Sequence, residues 1–180
     1  ADRAYFVSLL DSGAYTAGRT AVNEALDVAV LPISVSFATP TFDVANSAID
    51  YATAGHTVHR LLRDRGVTCD VVHPSADLSS YRVVVVPTLY LVSDEDAASI
   101  AAAAAAGAHV VVTYFSGISD ANDHVRLGGY PGAFRELLGV RVEEFFPLKE
   151  QESVALSGGG TGSQWSEDAR ATDAQVVTTY

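Results

Sequence analysis

The segment from Tyr81 to Tyr114 reads YRVVVVPTLYLVSDEDAASIAAAAAAGAHVVVTY, and it decides the fold. Residues 82–87 form a valine run that is typical of a parallel strand covered on both faces. An alanine-rich helix opens at Ser93-Asp94-Glu95-Asp96 and stops at Gly107, and residues 109–114 follow as a second buried strand. The segment therefore predicts one βαβ unit.

The flanking sequence continues the alternation of strands and helices. Between Asn46 and Arg65 apolar residues recur at steps of three and four, which predicts a helix that ends at Gly66. Weaker patterns predict a helix at residues 21–28 and strands at residues 4–10, 30–37, 67–72, 140–146 and 176–180. We expect residues 1–180 to form a single domain, a three-layer α/β sandwich with a mostly parallel sheet.

Composition excludes several classes of partner. The 180 residues include 22 acidic and 11 basic ones, for a formal net charge of −11. Such a charge repels phosphate backbones and anionic lipid, so neither nucleic acid nor a membrane is an expected partner. Cys69 is the single cysteine and is predicted to be a small buried hydrophobe in a strand. One cysteine allows no internal disulfide, which suits a reducing compartment, and we expect a cytoplasmic protein.

No arrangement of residues predicts a catalytic site. Glycoside hydrolysis requires two carboxyl groups about 5 to 9 Å apart, and the acidic clusters have structural explanations. Asp94, Glu95 and Asp96 suit the positive end of a helix, and alternation along a strand places Glu143 or Glu144 in solvent.

A nucleophile would be expected directly after the strand at residues 109–114, where Phe115-Ser116-Gly117 provides no cysteine. Ser116 lacks the sharp turn of a nucleophile elbow, because Tyr114 stands where that motif requires glycine. We expect no catalytic residues and no cofactor.

Metal and phosphate sites are also not expected. Asp120, Asn122 and His124 alternate as in a calcium loop, but Val125 and Pro131 stand where an EF-hand needs glycine and glutamate. His56 and His59 could share a transition metal, although their spacing favours a half-buried helix face instead. The glycine-rich residues 157–163 contain no lysine and are interpreted as a hairpin connection.

The remaining candidate is the loop from Phe115 to Tyr130, called here the 115–130 loop. Aromatic, amide and charged groups on a loop held by a rigid sheet suit a recognition surface, with Tyr130 presented at a tight turn between Gly129 and Pro131. The alternative is a loop that satisfies its own polar groups.

The chain resembles the middle domain of bacterial β-galactosidases of glycoside hydrolase family 42. The resemblance rests on Val72-His73-Pro74, Asp77-Leu78, Val86-Pro87, Leu89-Tyr90-Leu91-Val92, Ser116-Gly117-Ile118, Asn122-Asp123 and, most specifically, Leu127-Gly128-Gly129-Tyr130-Pro131-Gly132. Gln164-Trp165-Ser166-Glu167 and Thr179-Tyr180 resemble it more weakly. The N-terminal part departs from the family pattern at residues 11–15, and residues 19–45 resemble an enlarged insertion.

The resemblance implies a noncatalytic trimerisation domain with a class I glutamine amidotransferase-like or flavodoxin-like fold. It implies a homotrimer and a separate catalytic barrel domain as partners, and a chain that is a fragment of a larger glycosidase. The interface candidates are Phe115, Asp120, Asn122, Asp123, His124, Arg126 and Tyr130. The alternative from another class is a free-standing enzyme or small-molecule sensor of the same fold that uses the loop after Tyr114.

Overall fold

The computed structural model describes residues 28–30, 51–149 and 151–180. Within them the helices are α1 (Tyr51–Asp64), α2 (Asp94–Ala105) and α3 (Arg135–Leu138), and the strands are β1 (Val28–Val30), β2 (Asp70–Val71), β3 (Val83–Val86), β4 (His109–Val112), β5 (Val140–Pro147), β6 (Ser153–Ala155), β7 (Thr161–Ser163) and β8 (Trp165–Ala171). The predicted elements at residues 4–10, 21–28 and 30–37 lie outside the described residues, except for residues 28 and 30.

A parallel sheet in the order β2-β1-β3-β4 forms the centre of the fold. Its two faces bury different sets of side chains. Val84 and Val86 pack with Ile100 and Ala103 of α2, whereas Val85 and Cys69 pack with Val58 and Leu62 of α1. The description of Cys69 as a buried hydrophobe is confirmed, since its exposed fraction is 2%.

The predicted βαβ unit is confirmed in its order and in the start of its helix, while the two strands, Val83–Val86 and His109–Val112, are shorter than predicted. Helix α2 begins where the sequence predicts, because the Ser93 hydroxyl accepts the Asp96 N–H at 3.0 Å and so caps the first turn. Asp94, Glu95 and Asp96 lie in that turn, where the helix dipole favours negative charge. Strand β4 then pairs with β3 in parallel, with Val110 opposite Val84.

The prediction that the second strand of this unit is buried on both faces is wrong. In the sheet of described strands, β4 lies at the edge and pairs only with β3. Its side chains alternate, with Val110 and Val112 packed on the core, His109 exposed and Val111 49% exposed. On the face of the sheet that α1 covers, the residues packed with α1 include Val83 and Val85 but not Val111.

The prediction that residues 140–146 add a parallel strand to the main sheet is also wrong. Strand β5 is present, but it pairs antiparallel with β8 in a separate two-stranded ribbon, with a register shift between Val142 and Glu144. A parallel addition needs a crossover helix, and α3 has only four residues. Both Glu143 and Glu144 are exposed, and the register shift between Val142 and Glu144 interrupts the alternation that would otherwise place them on opposite faces.

The glycine-rich segment connects a hairpin, as predicted, since β6 and β7 pair antiparallel on either side of residues 156–160. The predicted strand at residues 176–180 is wrong because that segment joins no ladder. It is held instead by single contacts, such as the Ser157 N–H donating to the Thr179 carbonyl at 2.7 Å. Among the described helices, none has the length and apolar character needed to cross a bilayer.

Candidate functional site

The 115–130 loop leaves the carboxyl end of β4 and runs alongside the segment that follows β3. The N–H groups of Gly117 and Ile118 donate to the carbonyls of Leu89 and Tyr90 at 2.7 and 2.9 Å, and the Ser119 carbonyl accepts the Val92 N–H at 3.1 Å. Ile118 packs with Tyr90 and Leu91 in a small cluster of its own. The loop is therefore a rigid extension of the sheet.

Ser116 has a structural role in this extension. Its side chain is 1% exposed, and its hydroxyl accepts the Leu89 N–H at 3.0 Å. A hydroxyl that is buried and occupied in this way holds the loop against the segment that follows β3. The residue before it, Phe115, has a φ of +59°, so the chain turns sharply after β4 although the sequence lacks the nucleophile-elbow motif.

The tip of the loop satisfies its own polar groups only in part, because a buried carboxylate oxygen of Asp123 has no hydrogen-bond partner among the described residues. One carboxylate oxygen of Asp120 accepts the N–H groups of Asn122 and His124 at 2.8 and 3.0 Å, and the other lies 3.5 Å from the His124 ring. These backbone donors lower the pKa of the Asp120 carboxyl below its ordinary value. Three of the residues predicted at an interface thus hold the turn together.

Two arginines fix the second half of the loop from opposite sides. Arg126 donates to the Val92 carbonyl at 2.9 Å and pairs with Asp94 at 2.7 Å. Arg135 donates to the carbonyl of Leu127 at 3.2 Å and to that of Gly128. The backbone between these guanidinium groups has little freedom left to lose on binding a partner.

Phe115 and Tyr130 belong to a cluster of aromatic rings. The Tyr130 ring stacks on Phe145 at 4.4 Å between centroids, and Phe115 lies 5.0 Å from Trp165 and 5.6 Å from Phe145. Tyr130 also pairs with Val142 through backbone hydrogen bonds of 3.1 and 2.7 Å. Tyr130 is half-buried at the turn formed with Gly129 and Pro131, because its ring stacks on Phe145 and its backbone bridges to the ribbon.

An open cleft of about 270 Å³ lies between the end of β4, the 115–130 loop and the ribbon. We call it the aromatic cleft. It is lined by Val112, Thr113, Tyr114, Phe115, Ser116, Ile118, Tyr130, Pro131, Leu138, Val140, Val142, Phe145 and Glu167.

Glu167 is the only carboxyl group among the described residues that line this cleft. Burial raises the pKa of its carboxyl above the ordinary value, against the opposing effect of hydrogen bonds from the Trp165 side chain and the Phe115 N–H. The Trp165 Nε1–H donates to it at 2.8 Å. Burial and the nearby Glu167 charge also raise the pKa of Tyr114. Through its hydrogen bonds with Trp165 and Phe115, Glu167 joins the ribbon to the loop.

The described residues contain no group of three or more histidine, cysteine, aspartate or glutamate side chains placed to hold a metal ion. His56 is exposed and His59 is buried, so the two do not present a common open face. The half-buried helix face that the sequence allowed is the arrangement observed.

Two apolar residues of the loop were missed by the sequence reasoning. Val125 is 47% exposed and Leu127 is 88% exposed. The signal that could have identified them is an apolar pair two residues apart in a polar loop, with an arginine between them. Alternation along extended backbone places such a pair on one side and the arginine on the other.

The sequence and the fold are similar to those of known β-galactosidases. A family model described as the beta-galactosidase trimerisation domain matches residues 29–180. A β-galactosidase from Arthrobacter sp. is 61% identical over 122 residues, which are 68% of this chain and 18% of that protein.

Solved structures agree with these matches. The crystal structure of the β-galactosidase from Bacillus circulans sp. alkalophilus superposes with a TM-score of 0.73 at 28% identity, covering 85% of this chain and 24% of that chain. The β-galactosidase from Rahnella sp. R3 gives a TM-score of 0.72 at 27% identity, covering 86% and 25%. The chain thus spans about a fifth to a quarter of these relatives, and it belongs to the β-galactosidase trimerisation domain family.

Proposed function

We propose that this chain is the noncatalytic trimerisation domain of a β-galactosidase, whose active site lies in a separate barrel domain. The observation that carries the proposal is the match of the trimerisation family to residues 29–180. The chain spans 18% of the Arthrobacter relative, which supports the view that it is one domain of a longer glycosidase. The parent enzyme would hydrolyse terminal β-galactosides.

The local chemistry of the loop and the aromatic cleft supports a noncatalytic role. Hydrolysis of a glycoside needs two carboxyl groups on either side of the sugar, and Glu167 lines the cleft without a second carboxyl among its described neighbours. Ser116 is buried with its hydroxyl in use. The role proposed for this domain is to position the subunits of the parent enzyme relative to one another. Its partners would be two further copies of this chain and the catalytic barrel.

The fold proposed is a three-layer sandwich of the flavodoxin-like or class I glutamine amidotransferase-like type. The β2-β1-β3-β4 order with parallel pairing supports it, and so does the packing of α1 and α2 on opposite faces of the sheet. In the assembly, the sheet would hold the 115–130 loop against a neighbouring subunit. Phe115, Asp120, Asn122, Asp123, His124, Arg126 and Tyr130 remain the residues proposed near that contact.

The test is the mass of the purified chain in solution, measured by sedimentation velocity over about a hundredfold range of concentration. We expect a species of three chains that dissociates on dilution. The same preparation should release no product from an aryl β-galactoside, with the Bacillus circulans β-galactosidase as the positive control. A chain that stays monomeric throughout would overturn the assembly role, and reproducible turnover would overturn the noncatalytic role.

A further inference from the structure

The exposed apolar pair in the 115–130 loop is the strongest unexplained feature of the surface. Leu127 is 88% exposed and Val125 is 47% exposed, while Arg126 between them turns inward to Val92 and Asp94. Single exposed apolar side chains are common on protein surfaces. Two exposed apolar side chains two residues apart on a hydrogen-bonded segment are a stronger indication of a contact surface.

Backbone hydrogen bonds distinguish this pair from the exposed apolar residues of the C-terminal segment, although Val111 and Phe146 are also exposed on paired strands. The Arg126 N–H donates to the Ile118 carbonyl at 2.9 Å, Val125 forms a β-bridge with Ser119, and Arg135 holds the Leu127 carbonyl. By contrast, Val177 is 89% exposed in a segment that joins no ladder. An apolar group held in place before binding loses little entropy in the complex, so it contributes more to affinity.

Charge supports a second copy of this chain as the partner. Residues 124–141 contain three arginines and one glutamate in a chain of net charge −11. Two copies of so acidic a chain repel each other over most of their surface, and the repulsion is weakest where a face is not acidic. Arg126 and Arg141 pair with Asp94 and Glu143, so these two carboxylates next to the pair are neutralised, while Asp120 and Asp123 remain acidic groups of the same loop.

We propose that Val125 and Leu127 form the apolar anchor of the contact between copies of this chain. This inference rests on the proposed trimerisation function and identifies the side chains that carry it. In a cyclic trimer the contact is heterologous, so the pair on one copy packs against a different patch on the next. The interface candidates predicted from the sequence would then mainly support this pair, with Asp120 and Arg126 holding it in position.

The test compares Leu127→Asp with Val177→Asp in the purified 180-residue chain. The two side chains have nearly the same exposure, and neither change affects a buried group, so both variants should fold. Burial of one leucine corresponds to about a tenfold to hundredfold change in an association constant. We therefore expect Leu127→Asp to raise the concentration for half-dissociation at least about tenfold, with Val177→Asp unchanged. Val125→Asp should act in the same direction with a smaller effect.

The outcomes separate this inference from the proposed function. If the unaltered chain forms trimers and Leu127→Asp forms them equally well, the anchor is wrong and the trimerisation function stands. An equal loss in both variants would also overturn the anchor, because it would indicate a general effect of added charge. A monomeric unaltered chain would overturn the proposed function and this inference together.

Discussion

Gly117 joins the 115–130 loop to the core, and replacing it with alanine should be severely destabilising. Its φ is +67°, a left-handed conformation that costs an alanine about 1 kcal/mol. A Cβ atom at this position would lie 2.7 Å from Cδ2 of Phe134 and 3.2 Å from the Cβ of Ala133. Phe134 is fully buried, so its ring cannot move away, and overpacking of this kind costs about 1 to 3 kcal/mol. We therefore expect Gly117→Ala to lose about 2 to 4 kcal/mol of stability.

Gly66 provides a matched control for this prediction. Its φ is +74°, but a Cβ atom built on it meets nothing within 4 Å. Gly66→Ala should therefore lose only the conformational part, about 1 kcal/mol. Urea unfolding followed by circular dichroism measures both free energies. The reasoning is refuted if the two variants differ by less than about 0.5 kcal/mol, the usual range for neutral surface changes.

Two further predictions concern groups that attach the loop. Ser116→Ala should lower the free energy of unfolding by about 1 to 3 kcal/mol, because the buried Leu89 N–H loses its acceptor. Ser163→Ala, at an exposed position, is the control in the same urea titration. Equal losses in the two variants would contradict the prediction. Burial raises the pKa of Glu167 above its ordinary 4.5, so the folded chain binds its proton more tightly than the unfolded chain. The contribution of Glu167 to stability should be present below pH 4.5 and be lost as pH rises through the raised value. Unfolding free energies of the unaltered chain and Glu167→Gln at a series of pH values test this, and a difference between them that does not vary with pH would exclude it.

Local patterns predicted the elements whose signals lie within a few residues. The Ser93 cap and the acidic first turn located the start of α2, since capping involves neighbouring backbone groups. The valine run located β3 and its burial on both faces. Such signals depend only on residues within one or two turns along the chain, so the packing of distant segments does not change what they predict.

The errors concern partners that are distant in the sequence. The pattern at residues 140–146 predicts that a strand forms, but the strand pairs with β8, whose residues lie between 18 (Pro147 to Trp165) and 31 (Val140 to Ala171) positions further along the chain. The exposure of Val111 depends on how far α1 extends across the sheet. The sequence predicted Tyr130 at a tight turn because Gly129 and Pro131 flank it, but it gave no sign that the ring stacks on Phe145.

For the candidate site too, the sequence predicted the local features and missed the contacts between distant segments. The 115–130 loop was identified from the sequence, because polar residues after a buried strand mark a working loop in this class of fold. Sequence could not separate residues that hold the loop from those it presents. Asp120 and Arg126 were predicted as contact residues, but in the structure both side chains form hydrogen bonds with backbone groups of their own chain.

Neighbouring residues and their periodicity were enough to predict the βαβ unit, the start of α2, the buried Cys69 and the place of the loop. The pairing of the strands, the direction of Tyr130 and the exposure of Val125 and Leu127 became known only from the folded chain. These features depend on how distant segments pack, because the exposed surface is what remains after every other segment is in place, and no local pattern encodes it.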